Sequence, residues 1–119
     1  DIPETIEQLF IPVNSFIRML SILLDNAIEE AVQTEEKLLQ VALFEMNDCQ
    51  YFIVQNSSLQ HNIDLQTIYE KNKSSKASNR GYGLFSLKRM INQTPNITLE
   101  TTFDAPIFTQ TVIFKNSRL

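Results

Sequence analysis

The sequence predicts an α/β protein, a two-layer sandwich with helices on one face of a mostly antiparallel sheet. Two observations carry that expectation. Apolar residues recur with helical spacing over residues 15–33 and 84–92, and strand-like runs occupy residues 39–46, 50–55, 97–103 and 107–115. The strand segments also come in pairs joined by short turns, so each pair reads as an antiparallel hairpin. The order is helix, hairpin, polar loop, helix, hairpin, and two amphipathic helices can cover one face of the resulting sheet. A chain of 119 residues is one domain with one core.

Each element has its local reason. Residues 1–12 are compatible with a short helix opening at Asp1-Ile2-Pro3-Glu4 or with an extended run through Leu9, Phe10 and Ile11 to Pro12. Asn14 or Ser15 can cap the first helix, which runs to about Gln33. At ~100° per residue, Phe16, Leu20, Leu23, Leu24, Ala27 and Ala31 gather into one apolar stripe. Asn26 and Glu30 fall one turn apart on its rim, and Asp25 points away. A primary amide at the edge of a packed face must find partners, so Asn26 braces the fold or meets a ligand.

The charged residues 34–37 form a connection. Residues 39–46 are apolar on both faces apart from Gln40 and Glu45, as in a central strand. Asn47-Asp48 is turn chemistry, and residues 50–55 are a second strand rich in aromatic and β-branched side chains. Residues 71–80, KNKSSKASNR, are polar or basic apart from one alanine. A polar segment of that kind in a small domain is usually functional or disordered. Gly81 and Gly83, the only glycines, sit directly before the second helix, whose apolar positions are Leu84, Leu87 and Ile91. Pro95 and Asn96 end it. Ile97, Leu99, Thr101 and Phe103 then alternate with Thr98, Glu100 and Thr102, and Asp104-Ala105-Pro106 turns the chain into its last strand.

Bulk properties exclude several functions. A net charge of −4 argues against binding nucleic acid or anionic lipid over a broad surface. Basic residues nevertheless crowd one stretch (Lys71, Lys73, Lys76, Arg80, Lys88, Arg89), which leaves room for a small anion site. The lone cysteine, Cys49, cannot form an intrachain disulfide and suits a reducing compartment. No apolar run reaches the ~18 residues needed to span a membrane. The chain opens at Asp1 without an initiator methionine and reads as a piece of a longer protein.

Three features then line up: Asn26 on the first helix, Asn56 ending the second strand, and Arg80-Gly81-Tyr82-Gly83-Leu84 opening the second helix. Glycines before a helix let the backbone approach a ligand, and the helix N-terminus offers free N–H groups to phosphate. Lys76 and Arg80 lie on the loop leading in. An asparagine amide at Asn56 can both donate and accept, which suits adenine. Asn26 offers a neutral oxygen, which suits Mg²⁺ held mainly by nucleotide phosphates and water. Each feature alone has a plainer reading: a local hydrogen bond, a strand-ending turn, a solvated loop.

In that order and spacing the motifs resemble a known family. Leu23-Leu24-Asp25-Asn26-Ala27-Ile28-Glu29 is similar to the N box of the GHKL ATPase superfamily, and residues 74–84, SSKASNRGYGL, resemble its ATP lid running into a glycine box. LLDNAIE, a strand ending Gln-Asn-Ser, and this lid together resemble the catalytic domain of peptide-pheromone (quorum-sensing, Agr and competence type) receptor histidine kinases. The resemblance implies a Bergerat, histidine-kinase-like ATPase fold that binds ATP and Mg²⁺. By it, Asn26 ligates Mg²⁺, Asn56 with Ser57 meets adenine, and Lys76, Arg80, Gly81, Tyr82, Gly83 and Leu84 surround the phosphates. Residues 57–80 would be a mobile lid. Glu30 is expected either to hold a Mg²⁺-bound water or to be a solvated rim residue.

The sole histidine, His61, reads as a surface lid residue, so the phosphoacceptor lies elsewhere. The resemblance implies transfer of the γ-phosphoryl group to a histidine on the kinase's own dimerisation domain, within a full-length homodimer that feeds a response regulator. It implies a cytoplasmic domain of a bacterial plasma-membrane receptor, with no nucleic-acid or direct membrane contact. It also implies that the first sheet strand is missing, leaving an edge able to pair with another chain.

Several positions depart from the wider superfamily. Ile22 stands where a second asparagine is common, Glu29 where a base is common, and Asn56-Ser57-Ser58 replaces a glycine-rich acidic adenine motif. Lys73 and Ala77 stand near the usual lid glycines. Weak nucleotide affinity is the expectation. The alternative is a degenerate nucleotide-sensing or partner-docking Bergerat module without kinase activity.

Overall fold

A computed structural model describes residues 5–60, 65 and 79–116, with residues 79–82 described as backbone alone. Six elements follow in the order α1 (Val13–Ala31), β1 (Leu39–Met46), β2 (Cys49–Ser57), α2 (Asn79–Asn92), β3 (Ile97–Asp104) and β4 (Ile107–Lys115). The strands form one sheet in the order β1-β2-β4-β3, antiparallel throughout. Both helices lie on one face, so the two-layer α/β sandwich is the observed fold.

The β1–β2 hairpin closes at Asn47 and Asp48, whose φ angles of 52° and 63° are those of a two-residue turn matching the strand twist. Asparagine and aspartate tolerate that left-handed region better than other side chains. At the β3–β4 turn the Ala105–Pro106 bond is cis.

Strand alternation fixes which side chains meet the helices. Along β2, Gln50, Phe52, Val54 and Asn56 point inward and are buried. Their register partners on β4 are Phe114, Val112, Gln110 and Phe108, and beyond these on β3 lie Ile97, Leu99, Thr101 and Phe103. Met19, Leu23 and Ala27 of α1 and Leu87 and Ile91 of α2 close over the apolar half of this surface. Phe16 meets Phe52 and Phe114 edge-on, at ring-centroid distances of 5.8 and 6.1 Å, and so anchors the N-terminal half of α1.

Gln50 is 0 % exposed although it is polar. Its Oε1 accepts from the Phe10 N–H at 2.9 Å, while its Nε2 donates to the Gln8 carbonyl at 2.7 Å and to Glu45 Oε1 at 3.1 Å. Asn96 Nδ2 donates to the Phe10 carbonyl at 3.2 Å and to the Lys115 carbonyl at 2.9 Å. Residues 5–12 therefore form neither helix nor strand, yet two side-chain amides tie residues 8–10 to the sheet. Ile11 is buried beside them.

Three expectations change. Helix α1 starts at Val13 behind Pro12, which makes no side-chain cap bond, so neither Asn14 nor Ser15 is the cap. Helix α2 starts at Asn79, which places Gly81 and Gly83 inside the helix instead of before it. Strand β1 is an edge of the described sheet, paired with β2 alone, and is not central. Leu39, Val41 and Leu43 point to the helix side, because they pair with Asn56, Val54 and Phe52, and they remain exposed. On α1, the exposed Val13, Ile17, Ile28 and Val32 fall within about 100° of one another at ~100° per residue. They lie on the side of α1 away from Ile22 and its contact with α2. No helix of the described residues is long and apolar enough to cross a membrane.

Replacing Gln50 by leucine would leave the Phe10 N–H without its partner and is expected to lower stability by about 1–3 kcal/mol. Urea unfolding measures this, and an unchanged midpoint would show that the strap contributes nothing.

Candidate functional site

The site is built along one line of α1. Ile22, Asn26 and Glu30 are spaced four residues apart, so they follow one another at ~6 Å intervals on one side of the helix. At one end Ile22 packs against α2: a Cβ placed on Gly83 would lie 3.7 Å from Ile22 Cγ2. At the other end Glu30 meets the exit of β2, accepting from Ser58 Oγ at 3.2 Å and from Gln60 Nε2 at 3.5 Å. Asn26 lies between these contacts and is 7 % exposed. Asn56, 3 % exposed, lies two residues before Ser58 on the helix-facing side of β2. Asn26 thus lies on α1 between a contact to α2 and a contact to the exit of β2, the strand that carries Asn56.

A pair of hydroxyls holds this end in place. Thr34 Oγ1 donates to the Ala31 carbonyl at 2.8 Å, so its single proton is spent and the 2.7 Å contact with Ser57 Oγ has Ser57 as donor. Each oxygen also accepts a backbone N–H at 3.0 Å, Thr34 from Lys37 and Ser57 from Leu38. The Ser57 N–H donates to the Leu38 carbonyl at 3.1 Å, and the Ser58 N–H to Pro106 at 2.8 Å. The end of α1, the start of β1 and the end of β2 are thereby joined. Thr34 was invisible as a candidate because its partner is 23 residues away.

The remaining candidates fall into separate groups. Ser57 is 0 % exposed, with its hydroxyl engaged by Thr34 and Leu38, and it does not share the Asn56 face. Leu84 packs against the apolar core. Arg80, Gly81 and Tyr82 are described as the backbone of the first turn of α2, a turn without acidic residues. Lys76, His61 and most of the expected lid lie outside the described residues; Ser57 and Ser58, at the start of that range, are buried and hydrogen-bonded. Asn56 Nδ2 donates to the Ser57 carbonyl at 3.0 Å, which orients its amide.

Glycine at position 83 has no steric cause within the described protein. Its φ is not positive, and an added methyl would make an ordinary contact. A glycine inside a helix costs about 0.5–1 kcal/mol relative to alanine.

No group of three or more His, Cys, Asp or Glu side chains among the described residues is arranged to hold a metal ion. A cation here would need ligands supplied with an incoming molecule. The Asn26 amide oxygen fits that donor set, because Mg²⁺ bound with phosphates needs few protein ligands.

The fold and these residues define a class: an α/β sandwich with a polar end suited to a phosphorylated ligand. Residues 12–115 match the family described as the GHKL domain, and the chain belongs to that family. Domains of that family bind ATP, generally with Mg²⁺. Among solved structures, the Acinetobacter baumannii histidine kinase AdeS is similar, with a TM-score of 0.66 and 12 % identity. The match covers 87 % of this chain and 47 % of that one, and it is a likeness of fold. No curated protein matches by sequence.

Thr34→Val and Ser57→Ala should each destabilise the protein and together cost less than their sum. A coupling of about 0.5–3 kcal/mol is expected from a double-mutant cycle in denaturant. Strict additivity would show that the hydroxyl pair does not join the elements.

Proposed function

We propose that this domain binds Mg·ATP and donates the γ-phosphoryl group to a histidine on a separate dimerisation domain, in two-component pheromone signalling. The observation that carries the reading is a pair of buried asparagines, with a helical glycine, Gly83, against Ile22 one turn from Asn26, in a chain of the GHKL family. The motifs LLDNAIE, Gln-Asn-Ser and SSKASNRGYGL favour the pheromone-receptor branch. In that setting the domain is cytoplasmic, its own dimerisation domain is its first partner, and a response regulator receives the phosphoryl group.

The roles follow from placement. Asn56 hydrogen-bonds the base, and its amide is already oriented by the Ser57 carbonyl. The N-terminal part of α2 presents N–H groups and positive dipole to phosphate, unopposed by acidic residues in its first turn. Asn26 supplies a neutral ligand for Mg²⁺, which when bound neutralises charge on the phosphates. Ile22 fills the place of a second polar ligand with packing against α2. Lys76 and Arg80 add phosphate contacts. Glu30 is held by Ser58 and Gln60 and acts beside the metal's water shell, not as a water-activating base. Such a base would waste ATP whose acceptor is a histidine. Catalysis rests on positioning the γ-phosphoryl group for in-line attack.

A non-kinase sensing module is the second reading. The absence of a carboxylate in Asn56-Ser57-Ser58 favours it, together with the internal use of the Ser57 and Ser58 hydroxyls.

Calorimetric titration with Mg·ATP separates the outcomes. Gly83→Ala should raise stability by about 0.5–1 kcal/mol yet weaken nucleotide binding, and Asn26→Ala should abolish its magnesium dependence. Undisturbed binding in both variants would refute the site. Acid-labile phosphotransfer to a supplied dimerisation domain distinguishes the kinase from the sensing module.

A further inference from the structure

The inner face of the sheet divides into an apolar part and a polar row, and one aromatic pair lies on the far side of that row. Directly opposed residues of an antiparallel pair point to the same face. Asn56 is opposed by Phe108, and Phe108 by Phe103, so these three form a row across β2, β4 and β3 on the helix-facing side. The next row inward is Val54, Gln110 and Thr101, with Gln110 3 % exposed. The core cluster and the half-buried residues packed on it include neither Phe103 nor Phe108. Their rings meet each other at a centroid distance of 6.4 Å and an interplanar angle of 53°, and both remain half-buried. A core residue would be drawn into the apolar half. These two rings are held outside it, beside an oriented primary amide.

From this placement we infer that Phe108 is a base-binding residue: its ring is the stacking platform for the purine whose hydrogen-bonding edge meets Asn56, with Phe103 supporting it from β3. The inference rests on the nucleotide reading above and deepens it by assigning the base subsite to the β3–β4 hairpin as well as to β2. A ring face beside an oriented amide recognises a flat heterocycle with donors and acceptors on its rim. Purines offer more stacking area than pyrimidines, so the subsite favours them. Tripolyphosphate carries no base and bypasses it.

The test compares Mg·ATP with magnesium tripolyphosphate on the native chain, Phe108→Leu and Phe108→Trp. Phe108→Leu keeps apolar bulk without a ring and should weaken ATP binding about tenfold, the scale of one lost stacking contact, while tripolyphosphate affinity stays within about twofold. Phe108→Trp should retain ATP affinity. Because the chain has no tryptophan, emission from that variant reports the site alone; ATP should quench it and tripolyphosphate should not. ATP binding by the native chain with no loss in Phe108→Leu and no quenching in Phe108→Trp would overturn the inference and leave the nucleotide reading standing. A native chain that binds tripolyphosphate but gains nothing from the base would also overturn it. Failure of the native chain to bind either ligand would remove both. Should Phe108→Leu not fold, the tryptophan variant decides alone.

Discussion

Helix α1 must satisfy two neighbours along one line, and the rest of the site depends on that constraint. Ile22 is in reach of α2 at Gly83, Glu30 is bonded to the exit of β2, and Asn26 occupies the turn between them. A helix is rigid over two turns, so fixing its two ends fixes the middle. The Thr34–Ser57 hydroxyl pair then locks the C-terminal end to the sheet. The contacts of Ile22 and Glu30 thus help to place Asn26.

The same division of labour runs across the sheet. Phe52, Val112, Phe114 and Ile97 occupy the half of the inner face beneath the N-terminal half of α1, where packing dominates. Asn56, Gln110 and Thr101 occupy the other half, where a fully apolar surface would bury more area and hold the fold more tightly. Keeping buried amides there sacrifices stability that leucine or valine would supply. The proposed recognition surface would account for that choice, and the aromatic pair at Phe103 and Phe108 lies beside it.

Much of this was legible in the residues. The helical stripe of α1, the Asn47-Asp48 turn and the alternation from Ile97 to Phe103 all depend on neighbours in sequence, and all appear in the structure. The order of the asparagines and the glycine pair was legible as a motif, and the chain does belong to the GHKL family. What escaped has long-range causes. An apolar strand such as β1 looks central whatever lies beyond it, and its edge position is a property of the sheet. Glycine's poor helix propensity put the start of α2 after Gly83, although the helix includes it. Gln50 looked like an ordinary strand residue because its partners, Gln8 and Phe10, are about 40 residues away. The hydrogen bonding of the Ser57 hydroxyl to Thr34 and Leu38 was likewise hidden, because both partners are about 20 residues away.

The central claim is that Asn26, Asn56 and the first turns of α2 form one nucleotide site at a single end of the sandwich. Amide NMR spectra recorded with increasing Mg·ATP test it most directly, because the side-chain amides of Asn26 and Asn56 are observed separately from the backbone. The account predicts shifts in both side-chain amides, in the Gly83 N–H and in the strand ends around Ser58 and Phe108, while the Asn47-Asp48 turn and the Phe16–Phe52 contact stay unchanged. Shifts concentrated at that opposite end, or two asparagine amides that remain silent while others move, would contradict it.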